Sequence, residues 1–395
     1  MAHLPSPHVA DLRDRTRAFV EEHVIPVEHE INGNVHDGPD ELRGALQDAA
    51  RSAGVFAPQV PAEWGGLGLD HVGQTWVLEA AGYSLLGPLA TNCAAPDEGN
   101  MFLLARVASP EQQRRHLAPL AAGEIRSCFA MTEPAPGAGS DPSLLATTAT
   151  PTGAGRWRID GRKWFITGAI GASFVICMAR TSGAVGDRGG ATMFLVDVDT
   201  PGLRIERNID TLDQSLFGGH AELVFDGVEV DESAVLGEVG RGFEQAQIRL
   251  APARLTHCMR WLGIAQRAQD IALDYVIERE AFGRRLAESG MVQQMIADTE
   301  IELAASRALV RETAAALDAG ENAGRMSSIT KTFVAESVNR AVDRAVQMCG
   351  ARGISNDVML SRFLREVRPF RIYDGPSETH RWSIAKQTAR ARAAR

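Results

Sequence analysis

Near the end of the chain the stretch RIYDGPSETHR, residues 371–381, sets a single carboxylate, Asp374, between the aromatic Tyr373 and a Gly375–Pro376 turn. One acid before a glycine is by itself an ordinary turn former. To act as a base it would need a labile proton within about 3 Å, which only distant parts of the chain could deliver. Two other stretches have the make-up of ligand sites. CFAMTEPAPGAGSDP, 128–142, crowds together small, turn-forming and hydroxyl residues. Its glycines allow backbone to approach a ligand closely, and Thr132 and Ser140 can hydrogen-bond polar ligand edges; a plain surface loop is the alternative. In GRKWFITG, 161–168, strand alternation sets Phe165 and Thr167 on one face. An aromatic plane beside a hydroxyl suits a flat heteroaromatic ligand, while a core aromatic in a sheet is the simpler reading.

Three blocks of different texture must position these stretches. Residues 1–124 carry helical patterning, as in Val9, Leu12, Thr16, Phe19 and Val20, interrupted by loops such as VPAEWGGLGLD at 60–70. Residues 125–238 change to short β-favouring runs, KWFIT, SFVICMA, TMFLVDV and AELVFDGVEV, between Gly, Pro and Asp clusters. Residues 239–395 hold long 3.6-period patterns with no proline between Pro252 and Pro369, which predicts several long helices in a bundle. Helices, then strands, then helices is the order of an α+β multidomain chain, with a β-sandwich or barrel in the middle. Neither a GxGxxG after a strand nor a GxxxxGK[ST] occurs, so a nucleotide-binding α/β fold loses its main support.

Composition excludes several classes. At 395 residues, with 45% apolar and 23% charged residues, the chain is globular, and about 150 residues per domain allows two or three domains. The net charge of −9 argues against a nucleic-acid partner, the one basic cluster being the terminal ARARAAR. There is no apolar run of 18 residues and no secretory segment behind Met1, so no membrane span is expected and a cytoplasmic location follows by default. Five cysteines, Cys93, Cys128, Cys177, Cys258 and Cys349, are far apart and form no CxxC, which predicts buried free thiols. No ligand spacing predicts a metal site.

Taken together and in order, MTEP with AGSD at 131–141, KWFITG at 163–168, REAFG at 279–283, QMCGARG at 347–353 and YDGPSETHR at 373–381 resemble the acyl-CoA dehydrogenase family. VPAEWGGLGLD and FDGVEV, 225–230, look like further landmarks, so the resemblance covers nearly the whole chain. It implies an N-terminal helical domain, a middle β domain and a C-terminal four-helix bundle, with FAD lying between the last two. Met131, Thr132 and Ser140 would line the pyrimidine side of its ring, Phe165 would stack on it and Thr167 would lie near N5. Phe129, Pro376 and Glu378 are assigned to the same cofactor. A neighbouring subunit would hold the adenine end through Arg279, Phe282, Gln347 and the turn from Gly350 to Gly353, which implies a homodimer or a dimer of dimers.

The implied reaction oxidises an acyl-CoA to the trans-2-enoyl-CoA. Asp374 would remove the α proton while a hydride leaves the β carbon for flavin N5, and electron-transfer flavoprotein or another carrier would take the electrons. Arg254 would face the CoA portion, and Ser140, Tyr373 and Gly375 would also bind the substrate. Three positions and one interval depart from the common pattern: Asp374 replaces a glutamate, Pro376 a threonine and Gly290 a glutamine, and the interval from TEP to AGSD is two residues longer. NCAAPDEGN, GEIRSCFAMTEP, LTHCMR and DGPSETH resemble a branch, including chains fused to kinase-like domains, in which aspartate is usual. Nitroalkane oxidases and flavin oxygenases share the architecture and are the rival enzymes; a weakly catalytic FAD- or acyl-CoA-binding scaffold is the non-enzymatic rival.

Overall fold

The computed structural model describes residues 4–36 and 38–394; Arg395, the last residue of the basic tail, lies outside them. In the N-terminal block, helix α1 (Pro7–Phe19) starts on Ser6, whose hydroxyl accepts from Val9 N, with Pro7 at the first position. It buries Leu12, Thr16 and Phe19, which recur at helical spacing. Helices α2 (Asp40–Ser52), α3 (His71–Ala81) and α4 (Asp97–Val107) complete the part of the block that bears on the site.

The middle strands are β1 (Ser127–Ala130), β2 (Thr148–Gly153), β3 (Arg156–Thr167), β4 (Phe174–Arg180), β5 (Ala191–Asp197), β6 (Leu203–Asn208), β7 (His220–Asp231) and β8 (Val235–Leu236). They form one mixed sheet in the order β6-β7-β3-β2-β4-β5-β8, with β1 parallel on β4. Every residue of β4 is buried, as expected of a strand covered on both faces.

The C-terminal block is built on α5 (Gly242–Glu278), followed by a small hairpin of β9 (Glu280–Ala281) and β10 (Arg284–Arg285). Then come α6 (Gly290–Asp318), α7 (Gly324–Cys349), α8 (Leu360–Val367) and α9 (Ser377–Ala393). Pro252 lies inside α5, whose stretch from Leu255 to Ala265 is buried on all sides. This helix is an axle between the blocks, and small residues let it approach closely. A Cβ on Gly263 would meet Glu79 O at 2.3 Å, and one on Gly82 would meet Arg260 O at 2.1 Å.

Buried polar groups fasten the blocks to one another. The Asp318 carboxylate at the end of α6 accepts from His71 N and Val72 N, both at 2.9 Å, satisfying the orphan donors that open α3. Arg267 on α5 pairs with Glu28 at 2.8 Å, with both side chains out of water. Glu366 on α8 accepts from Gln214 N, Ser215 N and Ser215 Oγ in the loop between β6 and β7. All five cysteines are buried and unpaired. Among the described residues no helix is long and apolar enough to cross a membrane.

The segment after β1 is organised by a buried ion pair. Glu133 receives Lys163 Nζ at 2.8 Å and the N–H groups of Ala138, Ala146 and Thr147 at 3.1, 2.7 and 2.8 Å. Burial opposes its charge, but Lys163 and these donors outweigh it and hold Glu133 below the usual carboxylate range. Lys163→Met would leave this carboxylate without its cation, and a broken buried pair costs roughly 3–5 kcal/mol. The variant should unfold at distinctly lower urea concentration, with partial recovery in the double variant carrying Glu133→Gln. An unchanged urea midpoint in Lys163→Met would show that the pair does not hold the segment.

Candidate active site

Asp374 and Gly375 both adopt left-handed backbone, with φ of +51° and +97°. An aspartate tolerates this region better than most residues, and glycine is required where a Cβ on Gly375 would meet His380 Nε2 at 2.6 Å. The turn is held by side chains from three helices. Arg254 Nε on α5 donates to Asp374 O at 3.0 Å, and His380 Nε2 on α9 lies 3.1 Å from the same oxygen. Lys331 Nζ on α7 donates to Gly375 O at 2.8 Å. Pro376 then enters α9 in extended conformation, and Tyr373 accepts a hydrogen bond from Trp261 Nε1.

The Asp374 side chain is only 19% exposed, and its Oδ2 is buried with no hydrogen-bond partner. His257 Nε2 lies 3.3 Å from that oxygen. Burial raises the pKa of the carboxyl, but the neighbouring His257 and the cations Arg249, Arg254 and Lys331 outweigh it and hold it below its ordinary value. Burial dominates for the other groups. It pushes His257 down to about 3, with Arg260 adding to the effect, and Lys331 down to about 8 against the pull of Asp374. At neutral pH the site therefore holds an ionised carboxylate beside a neutral imidazole. Of these groups Arg254 was expected from sequence. Arg249, His257, Lys331 and His380 were not singled out, although LTHCMR, which contains His257, stood among the stretches that mark the branch.

A narrow cavity of about 60 Å³ runs between α5 and the N-terminal block. Leu85, Leu89 and Ile264 form apolar wall, and His257 and Tyr373, both next to Asp374, also line it. Gly168 and Ser127 bring the middle sheet to the same cavity.

On the sheet, the KWFIT strand departs from simple alternation. Its pairing with β7 shifts between Lys163 and Ile166, both of which are buried, and Phe165 takes φ of +52°. The expected common face for Phe165 and Thr167 is thus set by a bulge, which re-aims side chains that a regular strand would alternate. Phe165 is 46% exposed and packs edge-on to Trp164, while Thr167 is half-buried. Thr132 Oγ1 donates to Trp164 O at 2.7 Å, tying the segment after β1 to this bulge. Met131 O accepts from Lys163, Phe129 lies under the Arg249 guanidinium at 4.4 Å, and Ser140 is exposed.

The remaining predicted residues lie elsewhere. Phe282, at the tip of the β9–β10 hairpin, is fully exposed and has φ of +53°. Arg279, Gln347 and Gly350 are exposed as well, whereas Gly353 is buried. Arg254 and Arg279 are separated by 25 residues of helix, about 37 Å at 1.5 Å per residue. The hairpin and the base segment cannot belong to one compact site within a chain. Glu378, in the first turn of α9, is exposed.

Sequence spacing predicted no metal site, yet the fold gathers His36, Asp213 and His220, whose ligand atoms lie within 4.8 Å of one another. Both ring nitrogens of His220 are engaged: Nε2 lies 2.9 Å from Asp213 Oδ2 and Nδ1 lies 3.0 Å from Thr167 Oγ1. Asp213 and His220 are seven residues apart, but His36 joins them only through packing, which no local pattern records.

The state of His257 has a consequence for acid stability. In the fold it stays neutral to about pH 3, whereas an unfolded imidazole protonates near pH 6.5. Between those values the unfolded chain binds more protons, so stability falls as pH drops from 6.5, by up to about 1.4 kcal/mol per pH unit. Between pH 7 and pH 5 wild type should lose roughly 2 kcal/mol more than His257→Gln in urea denaturation. Equal losses would count against a buried neutral imidazole.

Three family models match in sequence: the N-terminal domain of acyl-CoA dehydrogenase over residues 6–124, the middle domain over 128–228 and the C-terminal domain over 240–389. The chain is 37% identical to "Probable acyl-CoA dehydrogenase FadE2" of Mycobacterium tuberculosis, covering 96% of this chain and 95% of that protein. It is 34% identical to acyl-CoA dehydrogenase family member 10 of Mus musculus over 96% of its own length, but it spans only 37% of that longer protein. Among solved structures, butyryl-CoA dehydrogenase from Megasphaera elsdenii superposes with a TM-score of 0.88 at 26% identity, covering 98% of this chain and 100% of the other. With three domain models in order and a relative matched from end to end, the chain is an oxidoreductase of the acyl-CoA dehydrogenase family.

Proposed function

We propose that the protein is a FAD-dependent acyl-CoA dehydrogenase that forms a trans-2-enoyl-CoA, with Asp374 as the base. The observation that carries this reading is an ionised carboxylate whose buried Oδ2 makes no hydrogen bond and has only His257 Nε2 near it, at 3.3 Å. Buried carboxylate oxygens are normally hydrogen-bonded, so one left free is poised to receive a proton. Aspartate is one methylene shorter than the family's glutamate, and an error of about 1 Å in such geometry can cost on the order of 10²-fold in rate. The left-handed pair at Asp374 and Gly375, pinned by Arg254, Lys331 and His380, gives the short side chain a fixed aim. An acyl group that displaces the remaining water would further desolvate the carboxylate and raise its basicity.

The residues present fit FAD. Phe165 offers an exposed aromatic face beside the Thr167 hydroxyl, within reach of the Met131–Thr132 backbone. When bound, FAD would supply the hydride acceptor. Phe129, Met131, Thr132, Ser140, Phe165, Thr167, Pro376 and Glu378 would hold its ring portion. Arg279, Phe282, Gln347, Gly350 and Gly353 would serve the FAD of a second subunit, which accounts for a fully exposed phenylalanine at a left-handed hairpin tip, beyond the far end of α5 from Arg254. Arg fits the diphosphate through its forked donors. Tyr373, Gly375, Ser140 and Arg254 would face the acyl-CoA, and a backbone N–H of the base segment would polarise the thioester carbonyl. A homodimer or dimer of dimers, electron-transfer flavoprotein as acceptor and a cytoplasmic location complete this reading.

A short acyl group is the expected substrate, in keeping with the butyryl-CoA dehydrogenase that shares the fold. Under anaerobic conditions butanoyl-CoA should bleach the flavin at least tenfold faster than palmitoyl-CoA. Failure of every acyl-CoA to bleach it, or rapid oxygen uptake with a nitroalkane, would sink the proposal. Asp374→Asn should keep stoichiometric FAD while bleaching slows by about 10²–10⁴-fold, the range general bases contribute. Bleaching at the wild-type rate would show that another group takes the proton.

A further inference from the structure

His36 stands in the turn before α2, Asp213 in the loop from β6 to β7, and His220 at the start of β7. A backbone hydrogen bond sets the two loops side by side. Val35 N donates to Gln214 O at 2.9 Å, so the residue after Val35 and the residue before Gln214 are brought together. Glu366 on α8 holds the same loop from the C-terminal block through Gln214 N, Ser215 N and Ser215 Oγ. The three side chains are thus delivered by backbone that is itself fixed, which is what a ligand set requires.

All three are nearly out of water, at 7%, 5% and 8% exposure. A carboxylate so deep needs a positive charge or a metal ion beside it. Among the described residues no lysine or arginine pairs with Asp213; Arg362, which reaches the same loop, is engaged by Gln214 Oε1 at 2.8 Å and Glu366 at 3.5 Å. What faces Asp213 is imidazole. His220 Nε2 lies 2.9 Å from Oδ2, and a His36 ring nitrogen comes within 4.8 Å of the ligand atoms of both. The His36 ring meets His220 edge-on at 5.3 Å, an arrangement that stacking would not give but shared coordination allows.

Tetrahedral zinc takes imidazole nitrogen and carboxylate oxygen at about 2.0–2.2 Å, which places neighbouring ligand atoms about 3.3 Å apart. The cluster is on that scale, with one pair at 2.9 Å and the others within 4.8 Å. Two nitrogen donors and one carboxylate suit zinc, whereas calcium and magnesium take oxygen ligands. A metal-bound histidine ordinarily gives its other ring N–H to an outer partner. With an ion on Nε2, His220 keeps its hydrogen on Nδ1, which faces Thr167 Oγ1 at 3.0 Å.

We propose that His36, Asp213 and His220 form a zinc site whose ion clips the N-terminal block to the loop between β6 and β7. Coordination replaces the contact between Asp213 and His220 by a bond from each to the ion and adds His36, and any proton on Nε2 leaves as the ion binds. The fourth position falls to water, since no further His, Cys, Asp or Glu joins the group among the described residues. The site stands apart from the flavin reading, because none of its three ligands is assigned to FAD or acyl-CoA.

Elemental analysis of the full chain, loaded with zinc ion and then dialysed against zinc-free buffer, tests this. Wild type should keep about one zinc per chain. His36→Gln and Asp213→Asn should each bind zinc at least about 100-fold more weakly, more than the loss of an outer-shell partner costs. A chelator should lower the melting temperature of zinc-loaded wild type and leave that of His36→Gln unchanged, because an ion bound only by the folded chain stabilises it. Absence of zinc from loaded wild type, or equal retention by His36→Gln, would overturn the proposal while leaving the dehydrogenase reading intact. If Asp213→Asn does not fold, the contrast between wild type and His36→Gln decides alone.

Discussion

The two carbonyl oxygens of Asp374 and Gly375 are the point on which the architecture converges. Left-handed backbone at two successive residues is costly, on the order of 1 kcal/mol or more for the non-glycine member, and persists only where surroundings over-determine it. Here Arg254 comes from α5, Lys331 from α7 and His380 from α9, each meeting one of the two oxygens. Two of these groups, Arg254 and Lys331, also help His257 and Arg249 keep the side chain ionised. Fixing the turn and ionising Asp374 therefore share part of one electrostatic arrangement.

That arrangement explains why so much charge lies inside the protein. Lys331 is fully buried, and Arg249 and Arg260 nearly so, in a region where isolated charges would be expelled. Arg249 is accommodated by Asn100 Oδ1 and the face of Phe129, and Arg260 by Cys93 O and Glu98. These contacts span all three blocks, so the blocks cannot shift independently without exposing a charge or orphaning a carbonyl. The close approach of Gly82 and Gly263 serves the same end, because it brings α5 near enough for its side chains to reach the N-terminal block.

Much of the fold was readable because local physics repeats along each element. Leu12, Thr16 and Phe19 declare one face of α1, and SFVICMA declares a strand buried on both sides. The strand KWFIT was legible as an element but not in its facing. Lys163 and Ile166 both point inward because Glu133 claims Lys163 and the bulge at Phe165 absorbs the odd residue. A buried lysine breaks the alternation rule, and its partner lies 30 residues away, beyond any periodicity.

By itself the sequence determined the order of the three blocks, the landmark stretches and the identity of the lone carboxylate, since these depend on residue type and near-neighbour spacing. Only the tertiary structure decided what surrounds that carboxylate. His257 stands 117 positions before Asp374 in the chain and 3.3 Å from it in space, and Thr167, His220 and Asp213 form a line that three separate segments must close. Such groupings arise from packing between elements, where distance in space is set by helix approach and strand register, and the local pattern of a chain carries no record of either.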